Sequence, residues 1–255
     1  MKTRVFVAIA CSILCVGFVG WRVHVHANRA TPHFVIVLDT SLSHPGGCES
    51  VLGLAEQSLH ANGVSQDSTL TVLVLGDAST ANEPWQLGRY SFPVTTKVLE
   101  GKTANMRRQE ELLSDIRRKC ETIRRTSISP IFLGVKQAVA DLRARGCKAG
   151  SRCQLFVDSD LEENAEQSIK DALHRTHQTK AVLPTRLDNE GIEVSFCGLA
   201  VTAGRIVNPS GREILSNSLR DPRRDDRLRQ VWRSLFTNPE TLSFEPYCPE
   251  PYGQR

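Results

Sequence analysis

Apolar residues fall into two rhythms along the chain. Phe34–Leu38 (FVIVL) is continuously apolar, the mark of a strand buried on both faces, and Leu70–Leu75 (LTVLVL) is a second run rich in β-branched side chains. Between them, Val51, Leu52, Ala55 and Leu59 recur at helical spacing within Cys48–Ala61, and Asn62-Gly63 stops that helix. Asn105–Arg125 predicts a long helix with Leu112, Leu113, Ile116, Cys120 and Ile123 along one side. Ser91–Leu99 alternates loosely and contains Pro93, so it is expected to be an edge strand or a loop. Further on, the pattern predicts helices over Pro130–Arg145 and Glu163–His174 and strands over Gln154–Val157 and Ile192–Val201. A closing helix over Arg227–Phe236 centres on Val231, Trp232 and Leu235. This alternation predicts an α/β fold: a doubly wound, mostly parallel central sheet with helices on both faces. The polar stretch Asn208–Asp226 reads as an excursion within that domain, and the tail from Glu245 as irregular, with Cys248 placed to tie it down.

The first 27 residues stand apart. Lys2 and Arg4 precede the uncharged apolar run Val5–Gly20, the form of a secretory signal peptide, and Val25-His26-Ala27 offers a small-x-small cleavage site. Arg22, just after the run, keeps an uncleaved N-terminal membrane anchor as the alternative. With Lys2 and Arg4 on the cytoplasmic side, both readings make the rest of the chain extracytoplasmic: secreted, periplasmic or anchored to the membrane. The expected organisation is therefore residues 1–27 as address or anchor, 28–245 as one domain and 246–255 as a C-terminal tail.

Composition supports that placement. Beyond the first segment lie six cysteines, Cys48, Cys120, Cys147, Cys153, Cys197 and Cys248, an even number that suggests disulfides in an oxidising compartment. Cys147 and Cys153 bracket a short polar loop and form the best local pair. Cys120 falls on an apolar stripe, so it is expected to be buried or bridged inward. There is no C-x-x-C, which argues against a zinc site. The formal net charge is +4, but Lys2, Arg4 and Arg22 lie in a segment without acids, so the remainder is close to neutral. A nearly neutral body is a poor nucleic-acid binder by charge. The arginine pairs of Asn105–Arg125 are offset by Glu110, Glu111, Asp115 and Glu121 and read as a solvated helix face.

Three polar clusters stand at strand or loop ends that precede helices, where open parallel sheets gather ligands. Asp39-Thr40-Ser41-Leu42-Ser43 follows the first buried strand, Thr126-Ser127-Ile128-Ser129 precedes the Pro130 helix, and Asp158-Ser159-Asp160 ends the strand QLFV. Carboxylates and hydroxyls in this arrangement are hard oxygen ligands of the kind magnesium, manganese or calcium prefers. Each residue also has a plainer role open to it. Ser41 and Ser43 suit a cap of the following helix, Ser129 a cap of the Pro130 helix, and Asp39 and Asp160 an acceptor for nearby backbone amides.

Over roughly His33 to Phe236 the sequence resembles a von Willebrand factor type A domain. Asp39, Ser41 and Ser43 match that family's D-x-S-x-S metal-ion-dependent adhesion motif. Ser129, in SPIFLGV, resembles the family's threonine before a middle helix, with serine in its place. Asp160 resembles the aspartate of the family's T-D-G, with Leu161 where the glycine stands and Asp158 as the competing acid. The resemblance implies that Ser41, Ser43 and Ser129 offer hydroxyl oxygens to Mg2+ (or Mn2+ or Ca2+), while Asp39 and Asp160 act mainly through bound water. It further implies an open coordination position, filled by an Asp or Glu carboxylate of a protein partner, and a binding function without catalysis.

Two other functions compete. A structural envelope protein with a degenerate ion site would share the same fold. A magnesium-dependent phosphohydrolase would use an aspartate after the first strand, but Ser41 stands where its second aspartate is expected. No G-x-S-x-G supports a serine hydrolase.

Overall fold

A computed structural model of the chain describes residues 31–41, 44, 47–61, 64–65, 67–76, 84–92, 101–126, 128–163, 165–174, 183–199, 205–207, 213–215 and 222–251. The expected signal or anchor segment and Ser43 lie outside the described residues. Among the described residues, no helix is long and apolar enough to cross a membrane.

The main strands and helices follow the predicted alternation, while two short strands and a closing strand were not predicted. One of the short strands, with the start of the last helix, lies inside the stretch Asn208–Asp226 read as an excursion. β1 (His33–Asp39) leads to α1 (Cys48–Leu59), β2 (Thr69–Leu75) and β3 (Trp85–Ser91). Next come α2 (Gly101–Cys120), α3 (Ile131–Ala144), β4 (Cys153–Asp158), α4 (Gln167–His174) and β5 (Ile192–Cys197). The short hairpin β6 (Arg205–Val207) and β7 (Glu213–Leu215), α5 (Pro222–Ser234) and β8 (Leu242–Phe244) complete the order. Six strands form one sheet in the order β3-β2-β1-β4-β5-β8. All neighbours are parallel except β2 and β3, so the sheet is mixed but mostly parallel.

The continuous apolar runs form strands because both faces of the sheet are covered. On β1, Val35 and Val37 join one buried cluster with Ile131, Val135 and Leu142 of α3 and Trp232 of α5. Phe34, Ile36 and Leu38 join the other, with Val51, Leu52 and Ala55 of α1 and Leu112 and Ile116 of α2. A strand that alternates between two apolar layers has no polar position to offer, which is why FVIVL contains none. The charged face of α2 behaves as a solvated surface: Arg107 reaches Glu111 at 3.2 Å and Lys119 reaches Asp115 at 2.8 Å.

Several boundaries differ from the sequence pattern. The edge strand is Trp85–Ser91, ahead of the expected position, and residues 93–100 lie outside the described set. Its polar Gln86 and Arg89 suit a strand paired on one side only. The helix expected from Glu163 starts at Gln167, because the Glu163 carboxylate itself accepts the Ala165 and Glu166 amides at 2.8 and 3.0 Å. The strand expected to reach Val201 ends at Cys197, where Gly198 turns with φ +93.

Three disulfides join Cys48 to Cys120, Cys147 to Cys153 and Cys197 to Cys248. The first ties α1 to α2, the second closes the expected local loop, and the third holds the irregular tail against the end of β5. Three bridges suit an oxidising compartment.

Candidate functional site

The sheet places β1 and β4 side by side, with β2 and β3 added on one flank and β5 and β8 on the other. The chain's direction of travel therefore reverses between β1 and β4, the place in open parallel sheets where ligands bind beyond the carboxyl ends of the strands. Asp39 ends β1 and Asp158 ends β4. Both are buried, as are Ser41, His44, Ser129, Ser159, Asp160 and Glu163 around them.

Asp39 is the hub. Its Oδ2 accepts the Ser129 hydroxyl at 2.8 Å and the Ser159 hydroxyl at 2.7 Å, while Oδ1 accepts the Ser41 amide at 2.9 Å. One carboxylate thus ties together three segments that are far apart in sequence. Backbone pairing supports the same convergence: Ser41 bridges to Thr126, and the Thr126 amide donates to the Thr40 carbonyl at 3.1 Å. Gly76, at φ +73, makes room for Thr126; a Cβ there would come within 2.4 Å of the Thr126 methyl.

The plainer roles divide. Ser129 does not cap α3, whose first residue follows Pro130 without a side-chain cap. Glu163 serves that end instead, its Oε2 accepting the Phe132 amide at 2.7 Å. Ser41 does not cap α1, which begins at Cys48 beyond Gly47. Asp39 does accept a loop amide, and Asp160 does so too, its Oδ1 taking the Glu162 amide at 3.0 Å. Leu161 adopts the left-handed φ of 62 and is fully buried.

Asp158 and Asp160 have different surroundings. Asp158 sits on the α1 side, where its Oδ1 accepts the His44 Nε2 proton at 2.7 Å and its Oδ2 accepts the Ser50 hydroxyl. Asp160 follows Ser159, the residue bonded to Asp39. Burial works to lower the His44 pKa, but the hydrogen bond and charge of Asp158, with Asp39 and Asp160 adding, carry it upward. Burial pushes the Glu163 carboxyl up against the pull of its three amide donors, and the charge of Asp39 adds to the rise. Three buried acids, Asp158, Asp39 and Asp160, thus act on the buried His44 imidazole, while buried Glu163 feels the charge of Asp39.

The site residues read from sequence therefore gather in part. Ser41 and Ser129 are linked through Asp39, Asp160 follows Ser159, which also bonds to Asp39, and Ser43 is outside the described residues. Sequence reasoning missed Ser159 and His44 as members. Ser159 stood between two acids already singled out, and a hydroxyl there was a usable signal. His44 had none, since its partner is 114 residues away.

A second grouping is chemically different. One ligand atom each from Asp158, Cys197 and Cys248 lies within 4.8 Å of the others. The two sulfurs are joined in a disulfide, so they are not thiolates and do not suit a metal. The grouping is a packed contact, with Cys248 Sγ 3.1 Å from Asp158 Oδ1.

No protein-family model matches the chain, and no curated protein matches it. Among solved structures the chain is similar to an uncharacterized membrane spanning protein from Vibrio fischeri. The two are 11% identical, the match covers 85% of this chain and 91% of that one, and the TM-score is 0.27. A likeness at that level carries no argument about fold or function, so the site rests on its own residues.

Proposed function

We propose that the chain is a von Willebrand A-like domain, doubly wound, that binds a protein partner through a divalent cation held beyond the ends of β1 and β4. The observation that carries this reading is the Ser129 hydroxyl, which donates to Asp39 Oδ2 at 2.8 Å instead of capping its own helix. A hydroxyl that gives its proton to a carboxylate turns its oxygen lone pairs the other way, the orientation a hard cation uses. The strand order, with the antiparallel strand at an edge, supports a doubly wound sheet whose ligand crevice lies at the switch between β1 and β4. Among the described residues, the excess of the buried acids Asp39, Asp158 and Asp160 over His44 supports a positive ligand.

In this reading Ser41, Ser129 and, by sequence, Ser43 supply hydroxyl oxygens to Mg2+, Mn2+ or Ca2+, and Asp39 and Asp160 supply negative charge. Asp39 also fixes the orientation of Ser129 and Ser159. The cation's open position takes an Asp or Glu carboxylate of the partner. Residues 1–27 direct the protein out of the cytoplasm or anchor it to the membrane with its body outside, in keeping with the disulfides. A scaffold with a degenerate site is the second reading, and the bond from the Glu162 amide to Asp160 favours it, since that acid already has a structural task.

Calorimetric titration of the oxidised protein with Mg2+ and Mn2+, beside Asp39→Ala, separates the two. Saturable binding at one site, lost in the variant, is the expected result. Absence of binding by the native protein leaves the scaffold.

A further inference from the structure

We infer that His44 and Asp158 are positioning residues for the cation site, locked in place by the Cys197–Cys248 bond and the tail it holds. The inference rests on the cation reading above and adds to it a group of residues that reach the site through Ser41 and through Ser159, which follows Asp158 and bonds to Asp39.

Asp39 and Asp158 face opposite sides of the sheet. Val35 and Val37 of β1 belong to the α3 side, and Asp39 continues their alternation toward Ser129. Leu155 and Val157 of β4 belong to that same side, so Asp158 falls with Phe156 on the α1 side. There it meets Ser50 of α1 and His44 of the β1–α1 connection. The connection is pinned at three points. The Ser41 amide donates to Asp39, the His44 amide donates to the Ser41 carbonyl at 3.2 Å, and the Gly47 amide donates to Ser50 Oγ at 3.3 Å. The His44 side chain is the anchor between the two ends. Moving it disturbs the bond from its own amide to the Ser41 carbonyl.

What keeps that anchor dry is the tail. His44 and Asp158 are each 1% exposed, and Cys248 Sγ closes over Asp158 Oδ1 at 3.1 Å. Pro249 follows against α1 so closely that a Cβ on Gly53 would lie 2.0 Å from its carbonyl oxygen. Gly198, next to Cys197, leaves room for the imidazole; a Cβ there would come within 2.6 Å of His44 Cε1. Two glycines thus admit the tail and the ring, and the disulfide fixes both to the end of β5. With the bond absent, the tail is no longer held over Asp158, and water competes for its carboxylate. His44 and Ser41 then sample more conformations, and a cation must order them on binding, which weakens apparent affinity in proportion to the fraction of time the ordered form exists.

The test uses the full-length oxidised protein, with Mn2+ as the probe and the free-ion electron paramagnetic resonance signal as the readout of affinity. Hydrogen exchange over residues 40–47 is read in parallel. The variants are Cys197→Ser with Cys248→Ser, and His44→Gln as a milder change that leaves the tail bonded. Cys147→Ser with Cys153→Ser is the control for loss of a disulfide elsewhere. The expected result is a dissociation constant raised about tenfold or more in the first two, with faster exchange over 40–47, and native affinity in the control. Native affinity in the double serine variant and in His44→Gln overturns the inference while leaving the cation site standing. An equal loss in the control also overturns it, since the effect would then be general destabilisation. Absence of Mn2+ binding by the native protein removes the cation reading itself, and with it any site for His44 to position.

Discussion

The Trp232 indole donates a hydrogen bond to the Leu161 carbonyl across 3.2 Å, and Leu161 holds a left-handed φ of 62 to receive it. A branched side chain at positive φ costs about 1–3 kcal/mol, so other contacts must over-determine the turn. They are visible: the Leu161 amide donates to Ser159 Oγ at 3.0 Å, and the side chain is fully buried in the α3-side cluster. Burial of leucine therefore offsets a backbone that would suit glycine.

That balance predicts an inverted substitution order. Leu161→Ala loses the buried side chain and keeps the strain, at a cost of about 2–5 kcal/mol. Leu161→Gly loses the same side chain but relieves the strain, so it is expected to be about 1 kcal/mol more stable than Leu161→Ala. Urea unfolding of the two variants measures the difference. Alanine above glycine would mean the turn is not strained at this position.

Ser129 offers a sharper test of the site. Ser129→Ala removes one donor to a buried carboxylate, which predicts a loss of about 1.5–3 kcal/mol in stability. Mn2+ affinity is expected to fall about tenfold or more, equivalent to about 1.4 kcal/mol per factor of ten. Ser129→Thr keeps the hydroxyl and is expected to retain both. An alanine variant that loses stability but keeps affinity would leave Ser129 as a fastener of Asp39 and nothing more.

How much of this could be read from the chain depends on where each signal resides. The strands β1, β2 and β4 were legible because burial on both faces leaves an unbroken apolar run. Asp39 and Asp160 drew notice because they stand at or just after the end of such a run, and Ser129 because it stands just before a helix begins. β8 is three residues long and carries no periodicity, so only its pairing with β5 reveals it. The start of α4 was misplaced because Glu163 spends its carboxylate on the amides of Phe132, Ala165 and Glu166. His44 owes its place to a partner supplied by the fold, which no local pattern announces.

Glu163 predicts a pH dependence. Its carboxyl pKa is raised from 4.5 in the folded protein, chiefly by burial. Between 4.5 and the raised value the folded state holds more protons than the unfolded state, so stability falls as pH climbs through that window. Glu163→Gln cannot ionise and lacks this slope. The stability of the variant relative to the native protein is therefore expected to rise with pH above 4.5 and level off once Glu163 is ionised in both states. Chemical unfolding at a series of pH values reads the difference directly, and parallel curves would show that Glu163 contributes no such linkage.

The disulfides predict a graded loss. Cys48–Cys120 closes a separation of 72 residues and Cys147–Cys153 one of only 6. Constraint of the unfolded chain alone makes the first worth about 4 kcal/mol and the second about 2 kcal/mol. Replacing Cys48 and Cys120 by serine should therefore lower the unfolding free energy by about twice as much as replacing Cys147 and Cys153. Packing adds to the gap, since Cys120 lies buried on the Leu112–Ile116 stripe of α2, where serine would place a hydroxyl against apolar neighbours. Cys147 and Cys153 are buried as well, but their loop retains the Ser151 amide bond to the Lys148 carbonyl at 2.8 Å. Equal losses in the two double variants would mean that residual structure in the unfolded chain, rather than loop length, decides what each bridge contributes.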